Sequence, residues 1–507
     1  MVFWYNCSMQ TNNIIHNNFN PKQLKLPLSL DIKIPFDSEV RTFDEVFRKM
    51  EIGKYLIIDK DPRGRIGYHP VQMLKLILFC QMEKIQSLRD MEKAAKNDIR
   101  IMWLTDELKP SHQSIKTFMD RYLVDGIEKI FYELNEYLIK KEEIDTTKLY
   151  IDGTKVESRA NKYTFVWRGS ITQFRTKLYK KITQQLNTMN KRYQESDLSF
   201  SLYDSYDIEY IGKVKTYLEN ELLREKTIMV SGKGKHKTTL QRDFESMSAY
   251  YHKLIEYQQQ LEIIGNDRNS YAKTDPSATF MHMKEDHMRN SQLKPGYNVQ
   301  VGVADEYILH MDISSERNDY QTFIPFLEGF KKQYNFYPKY PVADAGYGGL
   351  INYRYLKLHN MELYQKYGMY SKDTKDKKRR NDPYFTLNLI KDNDDYVASN
   401  GDRLKYLYHN NRGNDVYLLP NGKHKEINDE NLGYQKEVIE NLNTKLGIEL
   451  RIQRSIQAEG AFGVLKESFK LRRFRRKGTQ NVKLELILTA IGYNLDKFHN
   501  KRYRIIQ

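Results

Sequence analysis

The stretch YPVADAGYGG, Tyr340 to Gly349, joins an apolar run to a single carboxylate and three glycines. The apolar run is typical of a buried strand, and the glycines indicate a sharp exit from it. Asp344 therefore lies at the carboxyl end of a predicted strand. Its side chain either caps the following helix or faces a functional site.

A second segment repeats this arrangement. In KLYIDGTKVES, Lys148 to Ser158, apolar and polar residues alternate up to Asp152, and a glycine follows. Alternation over this length predicts a strand that carries an aspartate near its end. The chain thus presents two strands that each carry an aspartate before glycine.

The residues between and after these strands predict a mixed α/β sheet. Two alternating runs in KPGYNVQVGVADEYILHMDIS flank Asp305 and Glu306 and predict a hairpin. An amphipathic helix (318–335), the strand of Asp344, a second helix (350–360) and a short strand at MELYQKY (361–367) follow. This order of elements is typical of a mixed sheet with packed helices.

Changes in pattern along the chain predict four regions. Residues 1–145 are mainly helical, and 166–270 read as a helical insertion. Residues 376–440 read as a loop-rich insertion with short polar strands. The predicted α/β core is formed by residues 146–165, 271–375 and 441–500.

The segment KPSHQSIKTFMDRYL, Lys109 to Leu123, ends a series of three short predicted helices. Its polar face presents Gln113, Lys116 and Arg121. Such a series forms either a helix-turn-helix-like DNA-binding unit or a helical bundle that supports the next domain. The sequence alone does not distinguish the two.

Composition restricts the class of protein. The 507 residues carry a formal net charge of +16, which favours a polyanionic partner such as nucleic acid. Two cysteines, Cys7 and Cys80, exclude a disulfide framework and a multi-cysteine zinc site, and indicate a reducing compartment. The apolar runs are too short for a membrane span, and the amino terminus lacks the basic lead of a signal peptide. We therefore expect a cytoplasmic protein with no membrane partner.

A third acid, Glu459, lies in a predicted helix near the carboxyl end. Phe462, Leu465 and Phe469 form the apolar stripe of this helix. Lys466 follows Glu459 by about two helical turns, so both point the same way. Glycines at 460 and 463 are costly in a helix, which suggests close approach of another backbone or a bulky ligand.

Asp152, Asp344 and Glu459 would repel one another if they converged without a cation. Hard cations such as Mg²⁺ bind a few carboxylates together with phosphate oxygens, and a pair of such ions supports phosphodiester displacement. Any one of these acids alone would favour the role of a turn or cap residue. Three acids in these contexts, in a strongly basic chain, favour a metal site.

The stretch from Lys466 to Lys477 holds seven basic residues. A run of charge is usually a solvated face, but directly after the proposed metal-binding glutamate it favours contact with DNA phosphates. We select Arg472, Arg473, Arg475 and Arg476 as DNA-binding residues, together with Lys116.

Four motifs resemble the DDE transposases of bacterial insertion sequences, of the eleven-eighty-two type. They are YIDGTKVES, TDPSATFMHMKEDHMRNSQLKPGYNVQVGV, VADAGYGG and RSIQAEGAFGVLKESFKLRRFRRKG. YHPVQMLKLILF through PSHQSIKTFMDRY is similar to the helical amino-terminal domain of the same family. The resemblance extends with gaps from about residue 66 to 498.

The resemblance implies an RNase H-like (retroviral integrase-like) catalytic core. Asp152, Asp344 and Glu459 would bind two Mg²⁺ ions, with Mn²⁺ as a substitute. Water would cut DNA at the terminal inverted repeats, and the freed 3′-hydroxyl would attack a second phosphodiester. Lys466 matches a lysine that contacts DNA in relatives. Arg454 matches an arginine that recurs before the glutamate, and we assign it to DNA binding as well. A homodimer would pair two DNA ends with a target, in a bacterium and close to its nucleoid.

Two departures from the family pattern stand out. Ile452 and Ser455 occupy positions next to Arg454 where some relatives carry other residues, including a tyrosine. The region 376–440 lacks the cysteine cluster of many relatives. The alternatives to a transposase are a non-catalytic DNA-binding protein derived from one, which the three acids disfavour, and a general RNase H-like nuclease, which the amino-terminal domain disfavours.

Overall fold

The computed structural model of the protein describes residues 30–56, 68–193, 199–232, 234–266, 268–283 and 292–504. Cys7 and the first part of the predicted amino-terminal domain lie outside these residues. So does the stretch 284–291 of the motif that begins at Thr274. No helix in the described ranges is both long and apolar enough to cross a bilayer.

The elements follow in chain order. The amino-terminal helices are α1 (Glu39–Arg48), α2 (Pro70–Met82), α3 (Leu88–Asn97), α4 (Ile99–Thr105), α5 (His112–Phe118) and α6 (Ile127–Glu142). The next elements are β1 (Lys148–Glu157), β2 (Phe165–Trp167), α7 (Arg168–Arg192), α8 (Ile208–Arg224), α9 (Thr239–Ile264) and β3 (Ser270–Ala272). Then come β4 (Thr279–His282), β5 (Leu293–Ala304), β6 (Tyr307–Ser314), α10 (Asp319–Tyr334), β7 (Tyr340–Val342) and α11 (Leu350–Leu358).

The remaining elements complete the chain. They are α12 (Tyr370–Lys375), α13 (Lys377–Arg380), β8 (Ile390–Asp392), β9 (Asp395–Val397), β10 (Arg403–His409), β11 (Asp415–Leu418), β12 (His424–Ile427) and α14 (Asp429–Asn443). The last are α15 (Lys445–Arg454), a π-helical turn (Ser455–Glu459), α16 (Gly460–Glu467) and α17 (Thr479–Arg504). A second π-helical turn, Met119–Leu123, follows α5.

The central sheet confirms the predicted mixed α/β architecture. The long strand β5 pairs antiparallel with β1 on one side and with β6 and β4 on the other, and β7 pairs parallel to β1. Asp305 and Glu306 both have positive φ angles, 46° and 71°, as the tight turn between β5 and β6 requires. The predicted hairpin is therefore confirmed.

The strand predicted at MELYQKY is not formed. Residues 361–366 are irregular, and Tyr367 makes one isolated bridge, to Gly348. The chain does run beside β7, because Glu362 N–H donates to the Lys339 carbonyl at 3.0 Å. Pro341 of β7 has no N–H to offer, and the Gln365 side chain donates to its carbonyl. A regular ladder therefore cannot continue along this edge.

Helix α17 joins the amino-terminal helices to the sheet. One hydrophobic cluster contains residues of α1 to α6, of the sheet and of α17. A Cβ on Gly492 of α17 would lie 2.6 Å from the backbone carbonyl of Gln81 in α2, so only glycine allows this approach. The buried Thr42 hydroxyl and His499 Nδ1, 2.9 Å apart, form a hydrogen bond between α1 and α17.

The two predicted insertions have separate cores. Strands β2 and β3 pair at the base of the first, whose helices α7, α8 and α9 enclose their own apolar cluster. The second contains the antiparallel sheet β12-β11-β10-β9-β8. Leu389, Leu404 and Tyr417 are buried in its core, so apolar packing holds together a region that has no cysteines.

Candidate active site and the basic cleft beside it

The sheet brings Asp152 and Asp344 to one edge. Strands β1 and β7 are parallel, with Tyr150 opposite Val342. Asp152 comes two residues after Tyr150, and Asp344 comes two residues after Val342. The two aspartates therefore lie side by side. Asp344 follows β7 as the sequence predicted, but Asp152 lies in the middle of its strand and not near its end, because the pairing of β1 with β5 continues through Gly153 to Glu157.

The loop after β7 is shaped by its glycines. The Asp344 carboxylate accepts a hydrogen bond of 2.8 Å from Gly346 N–H, so it also acts as the turn residue considered above. A Cβ on Gly348 would lie 2.0 Å from the carbonyl oxygen of Lys366. The sharp exit therefore exists because the loop passes directly against the backbone of the following segment.

Arg454 connects Glu459 to Asp152. Its guanidinium lies 3.1 Å from Glu459 Oε1 and 3.8 Å from Asp152 Oδ1. A five-residue separation on one face is unusual for an α-helix, but the π-helical turn Ser455–Glu459 supplies it. The Glu459 side chain is 59% exposed, whereas those of Arg454 and Asp152 are 17% and 13% exposed. The arginine thus provides positive charge between two of the three predicted acids.

A fourth carboxylate, Asp319 at the start of α10, also lies at the site. A Cβ built on Gly346 would lie 3.0 Å from Asp344 Oδ1 and 3.6 Å from Asp319 Oδ2. Burial, and then the charges of Asp319, Asp152 and Asp344, raise the pKa of the Tyr347 hydroxyl well above its ordinary value. Sequence reasoning missed Asp319, because an aspartate at a helix start has an ordinary explanation.

The donor set suits a hard cation. Carboxylate oxygens are the ligands that Mg²⁺ accepts, and Arg454 already marks a place where positive charge is stabilised. The described residues contain no group of three or more His, Cys, Asp or Glu side chains arranged to hold a metal ion. The three predicted acids thus have the right donor chemistry for the cation but are not grouped as its ligands in this structure, in which Glu459 pairs with Arg454.

Helix α16 partly matches its prediction. Phe462, Leu465 and Phe469 are buried, and Lys466 is half-buried on the same helix. Apart from the chain neighbours and the backbone of the helix itself, no described atom lies within 4 Å of a Cβ built on Gly460 or Gly463. The expected approach of another backbone at these glycines is wrong, and their face of the helix is open.

The basic segment after α16 is fixed to the end of β1. Glu157 N–H donates to the Arg472 carbonyl at 3.2 Å, and Phe474 N–H donates to the Glu157 carbonyl at 2.8 Å. The arginines predicted to bind DNA also have partners within the chain. These pairs are Arg472 with Glu467, Arg473 with Glu157, Arg475 with Glu485, and Arg476 with Asp120.

A cleft of about 1030 Å³ separates the basic segment from α3 and α5. Its lining is strongly positive. The basic side chains are Arg89, Lys116, Arg159, Arg473, Arg475, Arg476 and Lys477, and the acidic ones are Asp120 and Glu485. The structure thus brings Lys116 to the same cleft as three of the four predicted arginines. Arg472, Arg454 and Lys466 do not line it.

Asp120 links the two walls of the cleft. Its carboxylate pairs with Lys116 at 2.9 Å and with Arg476 at 2.6 Å. Burial raises the pKa of Asp120, but the hydrogen bonds from Lys116 and Arg476 outweigh it and hold that pKa below its ordinary value. The carboxylate therefore stays charged and neutralises part of the cleft.

Comparison with known proteins identifies two domains. A family model described as Transposase DDE domain matches residues 417–499, and one described as Transposase domain (DUF772) matches residues 28–121. Together they form the domain pattern of a DDE transposase of an insertion sequence, which confirms the resemblance seen in the sequence. No curated protein and no solved structure matches the chain.

Proposed function

We propose that this chain, which matches two transposase domain models, is a DDE transposase that cuts DNA at the terminal inverted repeats of an insertion sequence and joins the freed ends to target DNA. The observation that carries the proposal is that parallel pairing of β1 with β7 places Asp152 beside Asp344, while Arg454 contacts both Asp152 and Glu459. These are the three acids that the resemblance names.

The order of strands supports an RNase H-like core. In the sequence β6-β5-β1-β7, β5 is antiparallel to both neighbours and β7 is parallel to β1. The first acid lies on the central strand and the second directly after its parallel neighbour. The π-helical turn that ends at the third acid packs against β1 and β5 beside them.

Asp152, Asp344 and Glu459 would hold Mg²⁺, as two ions, or Mn²⁺ in its place. The cations would supply charge stabilisation at the attacking and leaving oxygens of a phosphodiester displacement. Arg454 holds Glu459 beside Asp152 and offsets their mutual repulsion. Glu459 is the most exposed of the residues in this contact, so it can turn towards a cation with little rearrangement.

The basic cleft would hold the DNA backbone. Cations on both walls, with Lys116 on one and Arg473 on the other, suit a phosphate-lined strand that passes between the amino-terminal helices and the core. Arg475 and Arg476 share their charge with Glu485 and Asp120, so their contribution is weaker than a count of charges suggests. Lys466 and Arg454 would contact DNA nearer the acids.

The proposal includes a homodimer that synapses two ends, in the bacterial cytoplasm and at the nucleoid. The amino-terminal helices would recognise the inverted repeat in the manner of a helix-turn-helix unit. The second candidate is a non-catalytic DNA-binding protein derived from a transposase. The basic cleft lined by Lys116 and three of the predicted arginines supports DNA binding, and so it supports both candidates.

The test is excision of a marker flanked by the native ends of the element, with purified protein and Mg²⁺. Wild type is compared with Asp344→Ala and with Asp394→Ala, an exposed aspartate in the turn between β8 and β9. Excision by wild type and Asp394→Ala alone supports the transposase. End binding without cleavage by any of them favours the DNA-binding protein, and equal cleavage by all three contradicts the assignment of Asp344.

A further inference from the structure

Strand β5 buries amide side chains directly beneath the candidate active site. Val299, Val301 and Val303 occupy one of its faces, while the alternate residues Asn298 and Gln300 point to the other, towards α10. Both amides are fully buried in the middle of the sheet. Burying such groups is costly unless they are hydrogen-bonded, so their partners indicate why they are there.

The amides converge on one carboxylate oxygen. Asp319 Oδ1 accepts a hydrogen bond of 2.8 Å from Asn298 Nδ2 and one of 3.3 Å from Gln300 Nε2. Gln300 Nε2 also donates to Asn298 Oδ1 at 3.0 Å. The buried Tyr347 hydroxyl donates to Gln300 Oε1. Asp319, β5 and the loop that carries Asp344 are thus joined in one network.

The same carboxylate lies close to glycines that neighbour both proposed catalytic aspartates. A Cβ on Gly153, the residue after Asp152, would lie 2.9 Å from Asp319 Oδ1 and 2.5 Å from Gln300 Nε2. On the other side, Asp319 Oδ2 lies near Gly346, whose N–H binds Asp344. Asp319 therefore sits at the junction of the two segments that present the aspartates.

We propose that Asp319 is a positioning residue of the active site. It anchors Asn298 and Gln300, and through Gln300 and Tyr347 it fixes the Asp344 loop against β1. The spacing of Asp152 and Asp344 then depends on this anchor. The inference rests on the proposed function, because it concerns the same site. The alternative role of Asp319 is to stabilise the amino terminus of α10 by its charge alone.

Two variants separate these roles. Asp319→Asn keeps an oxygen that can accept from both amides but removes the charge, whereas Asp319→Ala removes the acceptor as well. For Asp319→Ala we expect the maximal cleavage rate per folded molecule to fall about 100-fold, since a displacement of about 1 Å costs that much. End-DNA affinity should stay unchanged, and Asp319→Asn should recover most of the rate.

Mn²⁺ binding to the full-length chain without DNA gives a readout that is independent of cleavage. By calorimetry, Asp319→Ala should bind Mn²⁺ about tenfold more weakly than wild type. Glu328→Gln is the matched control, because it removes a carboxylate from the same helix about 14 Å further along it. If wild type fails to cut DNA but this binding difference appears, the proposed function fails and the anchoring role of Asp319 stands.

Three outcomes would overturn the proposal. One is a normal cleavage rate per folded molecule in Asp319→Ala together with a lowered melting temperature, which assigns Asp319 to helix stability. Another is a cleavage rate in Asp319→Asn as low as that in Asp319→Ala. This would assign the effect to the negative charge of Asp319 and not to its hydrogen bonds with the amides. Should Asp319→Ala not fold, Tyr347→Phe decides, because it breaks the link to Gln300 and leaves the acid in place. Unchanged cleavage by Tyr347→Phe would then refute the positioning role.

Discussion

Replacing Arg454 by alanine should make the stability of the protein depend on Mg²⁺. The guanidinium lies 3.1 Å from Glu459 and 3.8 Å from Asp152. At an effective dielectric constant of about 20, each pair attracts by roughly 4–5 kcal/mol before desolvation is subtracted. Exposed pairs contribute about 0–1 kcal/mol net, and breaking a buried pair costs about 3–5 kcal/mol.

Arg454 and Asp152 are largely buried but Glu459 is not, so the loss should lie between these limits, at about 2 kcal/mol. For a chain of 507 residues that unfolds as one unit, this corresponds to a fall in melting temperature of about 2 °C. The variant leaves Asp152 and Glu459 without the guanidinium that both of them contact. Mg²⁺ should therefore raise the melting temperature of Arg454→Ala more than that of wild type.

Differential scanning calorimetry in EDTA and in Mg²⁺ measures both effects. Arg412→Ala, in the exposed turn between β10 and β11, is the matched control and should change neither quantity. The reasoning is refuted if Arg454→Ala is as stable as wild type in EDTA. It is also refuted if Mg²⁺ stabilises variant and wild type equally. In that case Mg²⁺ would not replace the positive charge that Arg454 supplies to Asp152 and Glu459.

Three further predictions concern the cleft and the core. Lys116→Ala should weaken DNA binding, measured by fluorescence anisotropy, and reduce the slope of log affinity against log salt by up to about 1. We expect a smaller reduction than this, because Asp120 already neutralises part of the lysine charge. Burial lowers the pKa of His310 to about 3, so the folded chain keeps it neutral while the unfolded chain takes up a proton near pH 6.5. This group should therefore lower the free energy of unfolding by up to about 1.4 kcal/mol per pH unit as the pH drops from about 6.5 towards 3. In urea titrations at several pH values, His310→Gln should show a weaker dependence of the free energy of unfolding on pH. Gly492→Ala should lower the melting temperature by forcing α17 away from α2, whereas Gly433→Ala, an open position in α14, should leave it unchanged or raise it.

The sequence predicted Asp152 and Asp344 well because each depends on a local rule. Alternation identifies the strand of Asp152, and parallel pairing of β1 with β7 places the two aspartates side by side. Glycines do mark the exit after Asp344, but Gly153 does not end β1, because it pairs with Gln300 of β5 and the strand continues to Glu157. The failed strand at 361–367 shows where local rules stop, because its apolar pattern was sufficient but its partner strand offered a proline.

The surroundings of Glu459 could not be predicted in this way. At the regular period of 3.6 residues, a position five before the glutamate lies well away from its face. The π-helical turn Ser455–Glu459 shifts that face, and no residue type marks such a turn in the sequence. Asp319 was missed for a related reason. Its significance depends on two amides of β5, about twenty residues away along the chain.

The intramolecular partners of the arginines also bear on how DNA would reach the acids. A run of basic residues suggests free charges, yet Arg473 and Arg475 are engaged with Glu157 and Glu485. The contact with Glu157 and the two backbone hydrogen bonds of that residue fix the basic segment to the end of β1, the strand that carries Asp152, whereas Glu485 belongs to α17. Five residues separate Asp152 from Glu157, which is about 17 Å along a strand and equals about five base pairs of duplex. Because the segment is hydrogen-bonded to the strand that carries Asp152, a phosphate bound by Arg473 would lie at a fixed distance from the proposed cleavage site. Glu157 thus holds Arg473 at the end of β1, while Glu485 and Asp120 hold the neighbouring arginines against α17 and the residues after α5.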